Sequence, residues 1–111
     1  MPTNLEMYDE AIRLQQEGKA DEAIAKLQDL LQQDPEYALA HSALSVFYSR
    51  GEDHDEAIKH ARRVCEMEPA DSFSFIALSL VCQKAGRISE AEQAMMQARQ
   101  VQFSSQQDSQ P

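Results

Sequence analysis

The sequence predicts an all-α solenoid built from three helical hairpins. One tripeptide pattern occurs three times with its alanines 34 residues apart, as Asp21-Glu22-Ala23, Asp55-Glu56-Ala57 and Ser89-Glu90-Ala91. A constant period of roughly 20 to 50 residues is typical of solenoids. The 111 residues include only three Gly and four Pro, which favours long helices with few turns. No segment shows the alternation of apolar and polar residues that a strand requires, so no sheet is expected.

Capping and turn residues mark the ends of six predicted helices. Thr3-Asn4-Leu5-Glu6 matches a capping box, in which a hydroxyl and a carboxylate satisfy each other's free backbone N–H groups. A glycine ends the first helix of each hairpin, and Gly18 can adopt the left-handed conformation that terminates a helix. Asp34 is expected to cap the third helix, with Pro35 in its first position.

These signals set the expected bounds of the elements. The predicted helices span residues 4–17, 20–33, 35–50, 54–68, about 72–85 and 88–103. Asp71 or Ser72 is expected to cap the fifth helix. The residues after Phe103 are polar, and the tail at 106–111 is expected to be disordered.

Helical hairpins with this period resemble the tetratricopeptide repeat (TPR) family. The units align as 4–37, 38–71 and 72–105, which makes a single domain of residues 1–105. In the family, small residues lie where the two helices of a repeat cross. The matching positions hold Ala11, Ser45 and Ser79 on the first helices and Ala23, Ala57 and Ala91 on the second helices. The resemblance implies a right-handed α-solenoid of six helices.

The resemblance is degenerate at two further positions. The closing proline of the family is present as Pro35 and Pro69, but Phe103 takes its place in the third repeat. The sixth helix therefore need not stop where the others do. The bulky residue that the family has early in the first helix is replaced by Met7, His41 and Phe75.

Equivalent positions differ at the two ends of the array. The first helices of repeats two and three carry an apolar stripe that should pack on the preceding repeat, whereas repeat one has Glu6, Glu10 and Arg13 there. On the second helices, Ile24 and Ile58 give way to Glu92, and Leu31 and Cys65 give way to Arg99. Terminal repeats need polar outer faces. We therefore expect a complete array of three repeats.

The resemblance also implies that the first helices line a concave groove that takes peptides. The groove positions are Leu5, Tyr8, Ile12, Leu39, Ser42, Val46, Ser49, Phe73, Ile76, Leu80 and Gln83, with Arg50 and Lys84 near the edge. Most of these residues are apolar, which suits the apolar face of a helix or an extended peptide with hydrophobic anchors. Alternatively, neighbouring first helices bury some of these side chains, with Val46 and Leu80 the strongest candidates for the core.

One TPR function can be tested against the residues directly. Chaperone-binding members hold a C-terminal carboxylate with Lys, Asn and Arg on the groove wall. The matching positions hold Tyr8, Ile12, Ala43, Phe73 and Ala77. None of them offers a charged hydrogen-bond donor, so the carboxylate clamp is expected to be absent. Arg50 and Lys84 either favour an acidic end of a ligand or are plain surface charges.

Two functions follow as expectations. The first is a cytoplasmic adaptor that binds a peptide or helix of a partner protein in the groove. The alternative is a homodimer assembled through the last helix, where Met96 and Phe103 lie seven residues apart on one face. In a third arrangement, Met95 and Ala98 pack inward and Met96 is a lone exposed side chain.

Composition argues against several other classes. The net charge of −9 and the pI of about 4.6 oppose binding to nucleic acid or to anionic membranes. No apolar run of about 18 residues could span a membrane, and the N-terminal residues do not resemble a secretory signal. These observations favour the cytoplasm.

Catalysis, cofactors and metals are not expected either. No nucleophile, base and orienting acid can be assembled, and the three glycines form no phosphate-binding loop. His54 and His60 lie six residues apart, whereas two helical metal ligands need a spacing of about three or four. Cys65 and Cys82 match no metal or redox spacing, and we expect two buried free thiols.

Overall fold

The chain forms six α-helices in a computed structural model, which describes residues 1–108 and the side chains of residues 1–105. The helices are α1 (Asn4–Gln16), α2 (Ala20–Gln33), α3 (Ala38–Arg50), α4 (His54–Met67), α5 (Ser72–Lys84) and α6 (Ile88–Asp108). Residues 1–108 contain no β-strand. The prediction of an all-α fold with six helices is confirmed.

Each helix packs mainly against its neighbours in sequence. The pairs α1–α2, α3–α4 and α5–α6 form three hairpins, and the contacts of α2 with α3 and of α4 with α5 stack the hairpins. The first helices α3 and α5 also touch each other. This arrangement of local contacts is the predicted α-solenoid.

The crossing points of the hairpins hold the small residues that the sequence predicted. Ala11 and Ala23 are completely buried in the first hairpin, as is Ala57 in the second. In the third hairpin, the Ser79 hydroxyl donates a hydrogen bond of 2.8 Å to the carbonyl oxygen of Ala91. The backbones of the two helices therefore approach closely at this point, which larger side chains would prevent.

Two core clusters hold the hairpins together. The first lies between repeats one and two around Leu27, Leu30 and Leu44, all completely buried. The second lies between repeats two and three around Ile58 and Cys82. Cys65 and Cys82 are free and buried, as predicted, and burial raises the pKa of the Cys65 thiol to about 11. Protonated thiols of this kind pack as small apolar groups.

The helix ends agree with the sequence at α1 and differ at α3. The Thr3 hydroxyl accepts from the backbone N–H of Glu6, and the Glu6 carboxylate accepts from that of Thr3, both at 3.1 Å, so the capping box is confirmed. Helix α3 was predicted from residue 35 but begins at Ala38. Residues 34–37 form a turn instead, in which the backbone N–H of Tyr37 donates to the carbonyl oxygen of Asp34 at 3.3 Å and the Asp34 carboxylate accepts from the backbone N–H of Glu36 at 3.2 Å. Asp34 therefore does not cap α3, whose N-cap residue is Tyr37.

Helix α6 is longer than predicted. It continues to Asp108, past the expected end at residue 103, and so includes the first three residues of the tail predicted to be disordered. Phe103 keeps the backbone N–H that Pro35 and Pro69 lack at the matching positions, so nothing breaks the helix there. The rest of the predicted tail, 109–111, lies outside the described residues.

The turn inside repeat two departs from the other two. Gly18 and Gly86 occupy the left-handed region with φ of 82° and 79°, whereas the equivalent residue of repeat two is Glu52, with φ of 63°. Gly51, which precedes it, has an ordinary φ of −84°. A residue with a Cβ atom is strained by about 1 kcal/mol in the left-handed region. In repeat two the glycine therefore lies one residue before the position that adopts the left-handed conformation.

Exchanging these residues should stabilise the protein. We expect Gly51→Ala combined with Glu52→Gly to raise the free energy of unfolding by about 1 kcal/mol, because it places the glycine at the position with positive φ and relieves the strain there, while the number of glycines in the unfolded chain stays the same. A Cβ at position 51 would meet only ordinary contacts of 3.6 Å and 3.7 Å. Urea unfolding measures the change. A decrease in stability for the double variant would contradict the assignment of strain.

Two histidines connect α3 to α4 in repeat two. The Nδ1 atoms of His41 and His60 lie 3.0 Å apart, and His41 Nε2 lies 2.9 Å from the carbonyl oxygen of Pro35. Because a carbonyl only accepts, His41 Nε2 carries a proton and His60 Nδ1 donates to His41. The ring of Tyr48 stacks on His60. Burial is the main cause that lowers the pKa of His60 to about 4, and the neighbouring imidazole of His41 lowers it further.

This pair should make stability depend on pH. The folded pKa of His60 lies below its unfolded value of 6.5, so the unfolded chain binds the extra proton first and stability falls as the pH drops from about 6.5 to about 4. We expect a loss of about 1–2 kcal/mol, less than the full linkage value because His60 is partly exposed. His60→Asn keeps a donor to His41 and should lose less stability over this range. Equal losses in chemical unfolding of the two proteins would contradict the prediction.

Candidate functional site

The faces of the first helices that are predicted to line the groove carry two rows of exposed apolar side chains. The 34-residue period places one row at Leu5, Leu39 and Phe73, near the starts of the first helices, and the other at Ile12, Val46 and Leu80. Five of these six side chains are between 43% and 76% exposed, and Ile12 is half-buried. The rows lie seven residues apart, which is about 10 Å along a helix. Such a continuous apolar surface is typical of a binding site.

The remaining groove positions divide between surface and core. Val46 and Leu80 were the strongest candidates for the core, and that expectation is wrong, since both are exposed. Ser49 is buried at 7% exposure and so is removed from the groove surface. Between the two rows, Tyr8 and Ile76 are half-buried and Ser42 is exposed. The predicted groove residues that turn toward the core are therefore Tyr8 and Ile76, in the middle of the face, and Ser49, near the C-terminal end of α3.

A pocket of about 350 Å³ opens between the first helices of repeats two and three. Val46, Phe73 and Leu80 form its walls, and Ala61 and Val64 of α4 form its floor. Ser42, Ser45, Ser74, Ala77 and Val81 complete the lining, and Glu68 and Asp71 lie at one edge. The pocket has the size and the apolar character to hold one large apolar side chain.

Small residues at the second junction create this pocket. The residues of repeat one equivalent to Ser42, Ala61 and Val64 are Tyr8, Leu27 and Leu30, and Phe47 is equivalent to Val81. These larger side chains belong to or pack against the first core cluster. The junction between repeats one and two and the junction between repeats two and three have the same arrangement of helices, but the side chains at the second junction are smaller. The pocket therefore results from the smaller side chains of repeats two and three and not from a different backbone.

The residues of the pocket floor and edge were not among the predicted site residues. All predicted groove residues belong to the first helices, whereas Ala61 and Val64 lie on the second helix of repeat two. A comparison of equivalent positions in the three repeats could have indicated the pocket, because repeat two has the small residue Ser42 where repeats one and three have Tyr8 and Ile76. Reading the second helices in the same way shows Ala61 where repeat one has Leu27.

Charges of opposite sign flank the groove. Arg50 and Lys84 end α3 and α5, and neither makes an ion pair with residues whose side chains the structure describes. Glu68 and Asp71 lie at the other end of these helices, in the turn before α5. The predicted groove is therefore acidic near the pocket and basic at its far end.

The side-chain types at this site bear on whether it could hold a metal ion. Within residues 1–108, no group of three or more His, Cys, Asp and Glu side chains is placed to hold a metal ion. His54 and His60, the spaced pair noted in the sequence, do not form such a group. The predicted groove presents apolar side chains together with hydroxyl and charged groups at its margins.

No helix in the described part of the chain combines the length and apolarity needed to cross a membrane.

Solved structures with the same fold include several repeat proteins. The crystal structure of MamA aligns with a TM-score of 0.84 at 19% identity, over 95% of this chain and 61% of MamA. The second TPR of Spaghetti (RPAP3), bound to the HSP90 peptide SRMEEVD, aligns with a TM-score of 0.77 at 19% identity, over 88% of this chain and 91% of that one. At such identities the similarity shows the fold alone.

A third structure is the type III secretion translocator chaperone SycD of Yersinia enterocolitica, in an alternative dimer. It aligns with a TM-score of 0.79 at 20% identity, over 89% of this chain and 75% of SycD. A search of curated protein sequences found no significant match. The family model described as Tetratricopeptide repeat matches residues 8–72. Since this match covers more than half of the sequence, the chain belongs to the tetratricopeptide repeat family.

Proposed function

We propose that this protein is a non-enzymatic interaction module that binds an apolar segment of a partner protein in its concave groove. The pocket beside Phe73 and Leu80 is the observation that carries the proposal, because an open recess of about 350 Å³ with apolar walls suits one large side chain. The partner segment is a helix or an extended peptide whose main anchor fills this pocket.

The energy of binding comes mainly from the anchor. Burying a leucine or phenylalanine side chain contributes about 1.5–3 kcal/mol. Leu5 and Leu39 extend the apolar surface beyond the pocket, so a second apolar residue of the ligand can contact them. Two such anchors contribute about 3–6 kcal/mol before the cost of ordering the peptide, so the apolar contacts alone correspond at best to a dissociation constant between millimolar and about 40 μM.

Charges around the pocket select among apolar segments. Glu68 and Asp71 favour a basic residue beside the main anchor, and Arg50 and Lys84 favour an acidic residue toward the other end. Tyr8, Ile12 and Ala43 stand where a carboxylate clamp would need charged donors. The protein is therefore expected not to bind the HSP90 peptide SRMEEVD, which the TPR of Spaghetti binds.

Filling the pocket provides a sharp test of this proposal. Ala61→Leu introduces at the pocket floor the residue that repeat one has at the equivalent position. We expect it to lower peptide affinity at least tenfold while leaving stability unchanged or raised, because it fills empty space with apolar atoms. Peptides selected from a random library displayed on phage supply the ligands, and calorimetry of the purified proteins gives affinities and melting temperatures.

Two further variants serve as groove probe and control. Phe73→Ser should weaken binding of the selected peptides without lowering stability, since Phe73 is 76% exposed. Met96→Ser removes a side chain of similar exposure from the outer face of α6 and should leave the affinity unchanged. The proposal is wrong if the selected peptides bind Ala61→Leu and Phe73→Ser as tightly as the original protein.

A further inference from the structure

We propose that two copies of this chain associate antiparallel through the outer face of α6. This interface is separate from the groove and does not depend on the peptide-binding proposal. It consists of six residues, here called the α6 stripe: Ile88, Glu92, Met95, Met96, Arg99 and Phe103. The occupant of the stripe is the same stripe of a second copy.

The α6 stripe is one continuous face of the helix. Apart from the adjacent pair Met95 and Met96, its residues follow each other at intervals of three or four, which places all six within one sector of the helix over about 22 Å. The inward face of α6 is formed instead by Ala91, Ala94 and Ala98, which are buried against α5. Ile88, Met96 and Phe103 are 53%, 59% and 59% exposed, so the stripe leaves three large apolar side chains in water.

The stripe is complementary to itself when the second copy runs in the opposite direction. With the two-fold axis between Met95 and Met96, Glu92 of each copy faces Arg99 of the other. In the same register, Ile88 of each copy faces Phe103 of the other. Each contact therefore occurs twice, as a two-fold interface requires. In a parallel arrangement Glu92 would face Glu92 and Arg99 would face Arg99, which is unfavourable.

A recess and a projecting side chain on α6 match each other in the same antiparallel register. A recess of about 240 Å³ lies at the first turns of α6, between α5 and α6, and is lined by Ser79, Gln83, Ile88, Ala91, Glu92 and Met95. Phe103 projects from the far end of the stripe. Since the antiparallel register brings Phe103 of one copy to Ile88 of the other, its ring reaches the recess of the partner.

The charges distinguish this interface from a repeat-stacking surface. Where Ile24 and Ile58 receive the next repeat, α6 has Glu92, and where Leu31 and Cys65 do so, it has Arg99. Arg99 makes no ion pair with side chains of residues 1–105. A stacking repeat would leave both charges buried, whereas a second α6 gives each a partner of opposite sign.

A single helical stripe makes a small interface. Contacts of this size give weak, reversible dimers. We therefore expect a dissociation constant on the order of 10–100 μM, in the range that sedimentation velocity and light scattering resolve.

Charge reversal tests both the dimer and its register. Glu92→Arg and Arg99→Glu should each weaken association about tenfold or more, since each turns two attractive contacts into repulsive ones. The two variants change the net charge in opposite directions, so a general charge effect cannot explain two losses. The double variant should restore association to within about threefold of the original, because Arg at 92 then faces Glu at 99.

Further outcomes decide the proposal. Phe103→Ser should also weaken association about tenfold, and circular dichroism should show that every variant keeps its helix content and melting temperature. A protein that remains monomeric up to about 500 μM overturns the dimer, since contacts weaker than that are not specific. If the single variants dimerise normally, or the double variant fails to recover, the antiparallel register is wrong.

Discussion

Replacing Leu44 with alanine is expected to lower the free energy of unfolding by about 3 kcal/mol, because the completely buried side chain leaves a cavity in the first core cluster. A loss of this size should lower the melting temperature by about 10–20 °C in a protein of this length. Leu44 lies on the stripe of α3 that packs on repeat one, so the loss also measures how strongly two repeats hold each other.

The matched control lies on the same helix. Leu39→Ala makes the same chemical change at a position that is 50% exposed and belongs to the proposed groove. Its effect on stability should stay within about 0.5 kcal/mol. Chemical unfolding of both variants measures the difference directly. If Leu39→Ala cost as much as Leu44→Ala, the apolar face of α3 would be core and not groove.

The second large effect concerns the crossing points. Ala57→Leu should destabilise the protein by about 2–3 kcal/mol, because the larger side chain cannot fit where α3 and α4 approach closely at Ser45. Alanine and leucine have similar helix propensity, so the loss would come from packing and not from the helix itself. Thermal unfolding followed by circular dichroism measures it.

An exposed alanine serves as the control for this change. Ala25 lies on the surface of α2, and Ala25→Leu should change stability by less than about 0.5 kcal/mol. A similar loss in both variants would mean that leucine is disfavoured for reasons unrelated to the crossing. A neutral Ala57→Leu would mean that the helices do not need a small residue there.

Most of the fold could be predicted because the same pattern of turn residues and crossing residues recurs every 34 residues. Glycine and proline mark the hairpins, and the bounds of α2 match the prediction. The start of α3 was missed because residues 34–37 form a turn in which the backbone N–H of Tyr37 bonds to the carbonyl oxygen of Asp34. The left-handed position of Glu52 was missed because Gly51, one residue earlier, suggested an ordinary glycine turn. Both errors involve single local contacts that a periodic pattern does not encode.

The site was predictable in outline but not in depth. The period placed Leu39, Phe73 and Leu80 on one face, and the structure leaves all three exposed. The pocket between repeats depends on how far α3 and α5 separate above Ala61, and distances between helices cannot be read from the spacing of residues. The contact between His41 and His60 likewise joins two helices through a geometry that the sequence does not specify.

The most direct test of the account locates a bound peptide on the protein. Two-dimensional amide NMR spectra of the labelled protein, recorded during titration with a library-selected peptide, would show which residues respond. We predict that the largest changes occur on the first helices, around Val46, Phe73 and Leu80, and at Ala61 on the pocket floor. Changes confined to the outer surfaces of α2, α4 and α6 would contradict the assignment of the concave groove as the binding site.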